Sequence, residues 1–172
     1  MGSTLSVSEL KGLTSGSNAN QINVPSGHTL IAPGHVIQVV FNQYNGQTTI
    51  TSTYANSGLS ASITPTSNTN KVLIIIRPQF RIHSTNSDVG VGFRILRNST
   101  NIYSSTTTYD QYQYSNGTYV DRRGGDCIMA FDAPATTSAV TYYLQGASYA
   151  GTSVNMQNAG NYSQMTLMEI AQ

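Results

Sequence analysis

Along most of the chain, apolar and polar residues alternate or form short apolar runs bounded by Gly, Asn, Ser and Pro, as β-strands do. The one helix-tolerant stretch, Ser8-Glu9-Leu10-Lys11, is interrupted at once by Gly12. Strands are predicted at His35–Phe41, Gln47–Tyr54, Leu59–Thr64, Lys71–His83, Val89–Asn98, Asn101–Ser105, Thr118–Arg122, Cys127–Phe131, Ala139–Tyr149, Ser153–Met156 and Ser163–Ile170. Many short strands at fairly regular spacing predict an all-β fold, an antiparallel β-sandwich of jelly-roll-like type. The unbroken run Val72-Leu73-Ile74-Ile75-Ile76 predicts a central strand buried on both faces, between sheets or at a subunit contact. Arg77-Pro78 follows, and proline cannot donate to a ladder, so a bulge or an edge is expected there. In Val89–Arg97 the apolar face is Val89, Val91, Phe93 and Ile95, while Gly90 and Gly92 on the other face admit a large neighbour.

The first 34 residues are patterned differently. Leu13–Asn20 holds almost nothing to bury and reads as a linker. Gln21–Leu30 alternates and then turns at Pro25-Ser26-Gly27. Residues 1–34 are therefore expected to be an extended N-terminal arm, with Leu5, Val7, Leu10, Ile22 and Val24 as its attachment residues. Residues 35–172 are expected to form the sandwich.

Composition narrows the function classes. A chain of 172 residues and 18.4 kDa suits one domain plus an arm. Charged residues make up only 9%, and eight Lys+Arg against seven Asp+Glu leave +1. A nucleic-acid binder that neutralises phosphates needs clustered positive charge and is excluded on this ground. Ser, Thr, Asn and Gln supply roughly 40% of the residues, so hydroxyls and amides stand in for charge at the surface. Such surfaces are common on extracellular and virion β proteins. One cysteine, Cys127, permits no internal disulfide; within Cys-Ile-Met-Ala-Phe it reads as a buried small hydrophobe. No apolar run reaches the ~18 residues of a span, and no basic-then-apolar leader opens the chain, so membrane insertion is not expected.

Candidate chemistry is sparse. Glycoside hydrolysis needs two carboxylates across the scissile bond, and the chain offers Glu9, Asp88, Asp110, Asp121, Asp126, Asp132 and Glu169. Asp121 and Asp126 flank Arg122-Arg123-Gly124-Gly125, where Asp–Arg pairing that orders a loop is the expected role. Asp132 precedes Ala133-Pro134 in a turn context, and Asp88 ends a polar loop. His28, His35 and His83 have no ligand-spaced partners, so no metal or other cofactor is expected. There is no Gly-x-Ser-x-Gly elbow, and an enzyme is not expected. One cluster stands out: Tyr103, Tyr109, Tyr112, Tyr114 and Tyr119 share a polar stretch with Gln111, Gln113 and Asn116. Tyrosine offers a large amphipathic face at low entropic cost, which suits carbohydrate. Tyr109, Tyr112, Tyr114, Tyr119, Arg122 and Arg123 are the candidate ligand-binding residues, on a loop region Tyr109–Asp126 expected to be exposed. The competing expectation is that these tyrosines pack on a sheet or line an oligomer interface.

Four segments together resemble a known family. Ala61–Ile74, with Ile63-Thr64-Pro65 and Lys71-Val72-Leu73, is similar to the "ITP–S–S–KILV" segment of marine bacteriophage appendage proteins. Val91–Asn98 followed by Asn101-Ile102-Tyr103 resembles their "–LLRDGT–IY" hairpin. Phe131–Tyr142 resembles "–D–P–TTSA–TY", and Ser163–Ile170 resembles the closing "–S–ITLMEI". The resemblance implies a virion structural protein on the particle exterior: a tail-fibre, head-fibre or decoration subunit with a jelly-roll-like sandwich, usually trimeric. The leading expectation is that the arm attaches to other virion proteins and that the sandwich projects outward to touch host-surface carbohydrate. Between Tyr103 and Gly125 the chain departs from the pattern, so no relative's binding specificity carries over. Capsid decoration without host contact is the alternative, and a glycan-degrading enzyme has the least support.

Overall fold

Period-two patterning yields thirteen strands among the described residues: β1 (Val36–Tyr44), β2 (Thr48–Ile50), β3 (Ala55–Ile63), β4 (Lys71–Arg77), β5 (Gln79–Ser84), β6 (Asp88–Arg97), β7 (Thr100–Ser104), β8 (Gln111–Tyr114), β9 (Val120–Gly125), β10 (Ile128–Asp132), β11 (Val140–Ser148), β12 (Ser153–Met156) and β13 (Ser163–Ile170). The computed structural model describes residues 15–16, 26, 32–105, 110–116, 119–149 and 152–172. The chain divides into two units, Met1–Ile31 and Ala32–Gln172, and every strand belongs to the second. Leu5, Val7, Leu10, Ile22, Val24 and Tyr109 lie outside the described residues.

Two four-strand ladders, β1-β13-β4-β10 and β2-β12-β5-β9, repeat the same ribbon order. Each ribbon is broken at one level: at 45–47, at Pro78, at Asp126-Cys127 and at 157–162. The two ladders are thus the halves of one bent sheet. The facing sheet is β3-β11-β6-β7, with β8 continuing β7 along β6. Numbering the ribbons in chain order gives 1-8-3-6 opposite 2-7-4-5, all antiparallel, which is the double Greek key of a jelly roll. At the bend Pro78 has no N–H to give, and the next amide, Gln79 N, donates to Ser163 Oγ at 2.9 Å. Tyr44 closes the ribbon end by lying across Gly46 and Gly58, where any Cβ would overlap its ring.

The core is apolar and continuous between the sheets. Phe80 of β5 meets Phe93 of β6 across it, ring centroids 5.9 Å apart. Val89, Val91, Phe93 and Ile95 are fully buried on one face, as their alternation predicts. The large neighbours over the glycine face are aromatic: Tyr112 stands opposite Gly90, and its ring meets that of Tyr149 edge-on at 5.8 Å. Three sequence expectations need correction. In the Val72–Ile76 run Val72, Ile74 and Ile76 point inward and Leu73 and Ile75 are half-buried on the outer face, so of the two expected settings the one between sheets is corrected: a strand alternates even through an unbroken apolar run. Cys127 is exposed rather than buried, since the strand phase that turns Ile128 inward turns its neighbour out. The segment Tyr109–Asp126 is not mainly loop but carries β8 and β9.

One end of the sandwich is closed by a polar row. Across the bent sheet, Gln38, Glu169, Val72 and Asp132 are register partners on the inward face. Glu169 is fully buried and accepts from Thr66 N (2.7 Å), Thr66 Oγ1 (2.8 Å), Asn70 Nδ2 (2.7 Å) and Gln38 Nε2 (2.6 Å). Asp132 accepts two bonds from Arg97 Nη1 (2.9 and 2.7 Å) and one from Tyr142 OH (2.7 Å). Burial and then the Asp132 bond push the Tyr142 phenol well above its ordinary pKa, so it stays a donor. Burial works against the charged form of Glu169, but the bonds from Asn70, Gln38 and Thr66 outweigh it and hold the carboxyl below its usual 4.5.

A folded-state value below the unfolded one means that Glu169 stabilises fully above about pH 4.5 and loses that contribution as pH falls through the folded value. Glu169→Gln turns a donor against the donors around it and is expected to cost about 2 kcal/mol at pH 7. Protonated Glu169 carries a donor too, so chemical denaturation at a series of pH values should show the gap narrowing as pH falls below about 4.5.

Candidate functional site

The tyrosine-rich segment sits where the two sheets meet at one side. β8 runs along β6 in one sheet and β9 is the edge strand beside β5 in the other. Arg122 of β9 spans them: its Nη1 donates to Tyr112 O at 3.2 Å and its Nη2 donates to Gln111 Oε1. Gln111 Nε2 passes the connection on to Asp126 Oδ2 at 3.0 Å, and Asp126 Oδ1 accepts Cys127 N at 2.8 Å. Tyr112 OH donates to Asp88 Oδ1. Beneath, Asp110 accepts Phe93 N (2.5 Å) and Tyr103 OH (2.6 Å); burial and then Asp110 raise the Tyr103 pKa. Arg122 and the Tyr112 backbone therefore clip the two sheet edges together, with the Tyr112 side chain exposed.

Tyr114, Tyr119 and Arg123 face outward. Tyr114 is 63% exposed, and Tyr119 is also exposed, meeting His83 edge-on at 5.1 Å. His83 and Tyr119 line an open groove of about 410 Å³ with Ser84, Thr85, Asn86, Thr152 and Ser153, a wall of hydroxyls and one amide beside two aromatic rings. Beside it Arg81 grips Asp121 in a two-point bond (2.7 and 2.9 Å), with Arg123 3.8 Å away. The Arg81 bond holds Asp121 below its usual pKa, and the reverse bond holds Arg81 above its own. The Asp–Arg pairing expected from sequence is present, though the main partner is Arg81 of the neighbouring strand.

A second groove, of about 610 Å³, was not legible in the sequence. Asn56, Leu96, Asn98, Ser99, Tyr143 and Gln145 line it on the outer face of β3-β11-β6. Arg94, stacked 4.5 Å over the Tyr54 ring, donates to Gln145 Oε1 through both Nε (2.9 Å) and Nη2. Gln145 Nε2 in turn donates to Asn56 Oδ1 at 2.8 Å. Asn98, at φ 51°, donates its N–H to Thr141 O (2.7 Å) and accepts Thr141 N on Oδ1 (3.1 Å). Outward positions on alternating strands read only as a wet face until register brings them together.

All six carboxylates of the described residues are engaged: Asp88, Asp110, Asp121, Asp126, Asp132 and Glu169 each accept the bonds given above. Glu169 and Asp132, separated by one strand, stand roughly 10 Å apart by strand spacing, near the span of an inverting glycosidase pair. Both are buried and already bonded to donors of the fold. Arg122→Ala should cost about 1–2 kcal/mol of stability by opening the clip, while Arg123→Ala should change it by less than about 0.5. Thermal or chemical denaturation of the two variants side by side checks this.

No protein-family model and no curated protein matches the chain. Among solved structures, it is similar to the VP2 subviral particle of infectious bursal disease virus, at 10% identity and a TM-score of 0.44 over 88% of this chain and 42% of that one. It is similar also to the structures of the Gt strain of that virus (11%, TM-score 0.37, 88% and 42% covered) and of its Gx strain (15%, TM-score 0.32, 84% and 31% covered). The chain spans less than half the length of each of these proteins.

Proposed function

We propose that the protein is a structural subunit of a virion: a homotrimeric fibre or appendage module on the particle exterior. In this reading the N-terminal arm attaches it to other virion proteins, and the rim bearing Tyr114 and Tyr119 meets host-surface carbohydrate. One observation carries it: the carboxylates of the described residues, with Arg81, Arg97 and Arg122, are bonded within the fold, and amides, hydroxyls and tyrosine rings are prominent at the surface. Glu169 and Asp132 close one end of the sandwich, Asp110 pins β6 to the β7–β8 connection, and Arg122 ties the sheet edges. What is left outside, Tyr114, Tyr119, His83 and Asn86, is the chemistry that stacks on sugar rings and bonds their hydroxyls.

A second reading, capsid decoration without host contact, is favoured by the internal engagement of Tyr112 and Arg122, which leaves a smaller tyrosine surface than the sequence promised.

Binding of the full-length protein to host cells and to a panel of neutral glycans separates the two. The adhesive reading expects Tyr119→Ala and Tyr114→Ala each to weaken binding about tenfold, with melting temperature and assembly unchanged. Wild-type protein that binds neither cells nor glycans overturns the adhesive role and leaves decoration. Release of reducing sugar by the wild type would overturn both.

A further inference from the structure

The outer face of the β1-β13-β4-β10 sheet is unusual for a surface. Register places Val39, Met168, Leu73 and Phe131 in one row across four strands, and Phe41, Thr166, Ile75 and Met129 in the next. Seven of these eight positions are apolar, none is charged, and all eight point away from the core. Val39 is 57% exposed, Phe41 56%, Phe131 57% and Met129 64%, while the four central residues are half-buried. The eight side chains leave roughly 600 Å² open, against about 800 Å² that each partner contributes to a standard interface. That equals the upper range for the largest apolar patch on a monomer.

We propose that this face is where copies of the chain associate with one another. The inference rests on the reading of the protein as a homo-oligomeric structural subunit and names the surface that joins the subunits. Two features select a second copy as the occupant. The face offers no charge with which to select a charged partner, and the chain itself is 9% charged, so its own surface matches. Its area supplies the core of a standard interface once a polar rim is added, and Gln43, Gln164 and Arg77 lie in the row beyond Phe41 and Ile75 to provide one.

The single cysteine reports on the contact. Cys127 is exposed and adjoins Ile128, the register partner of Ile76, at the border of the face. The test is sedimentation velocity of the full-length chain at micromolar concentration, together with the rate of Cys127 alkylation by a maleimide. The wild type should sediment as an oligomer, with three times 18.4 kDa as the expected mass. Phe131→Lys should sediment as a monomer with an unchanged far-ultraviolet circular dichroism spectrum and several-fold faster alkylation. Should Phe131→Lys fail to fold, Met129→Gln is read instead, with the same expectation of a lower mass. An oligomeric wild type whose folded variants keep the full mass overturns the face and leaves the structural reading standing. A monomeric wild type overturns both and assigns the face to residues 1–31 or to a different protein.

Discussion

A buried carboxylate that meets no cation among the described residues has to be enclosed by donors, and the site that encloses Glu169 governs how this sheet is built. Its four donors come from Gln38 on β1 and from Thr66 and Asn70 in the β3–β4 connection, so one side chain ties two other parts of the chain to β13. Turning Glu169 inward turns Met168 and Ile170 outward, because successive strand residues alternate. A one-residue slip would bring the carboxylate into solvent, its donors unpaired, and Met168 into a polar cage. The register that presents the apolar rows to the outside is therefore the register that keeps Glu169 satisfied.

Asp132 extends the same logic to the other sheet. Its partners Arg97 and Tyr142 lie on β6 and β11, so the ion pair joins the two layers of the sandwich rather than two neighbours in one ladder. With Arg122 bridging at the opposite edge strands, polar contacts hold the rim of the jelly roll while Phe80, Phe93 and their neighbours fill its middle. Arg97, Asp132, Tyr142 and Glu169 all belong to this rim.

Strand positions were readable because alternation and turn residues are local signals. β12 and β13 begin and end where the pattern places them, and the Val89–Ile95 face is buried in full. β8 was missed because Gln111-Tyr112-Gln113-Tyr114 alternates two residue types that both sit at surfaces, leaving no apolar face to detect. The outward half of the Val72–Ile76 run was missed because an unbroken apolar strand looks alike whether its second face meets another layer or lies open. The tyrosine site was half legible: composition marked the segment, but which rings are free depends on Asp88, Tyr149 and Arg122, brought in by folding. Glu169 and Asn70 are 99 residues apart in sequence, and only the sheet order makes them neighbours.

The central proposal is that subunits meet through the apolar sheet face and leave the tyrosine rim outside. A cryo-electron microscopy reconstruction of the assembled full-length protein tests it directly. The predicted result is density in which Val39, Phe41, Met129 and Phe131 pack against a neighbouring copy while Tyr114 and Tyr119 line the solvent boundary. An assembly in which that sheet faces solvent, or in which the tyrosine rim forms the subunit contact, would contradict it.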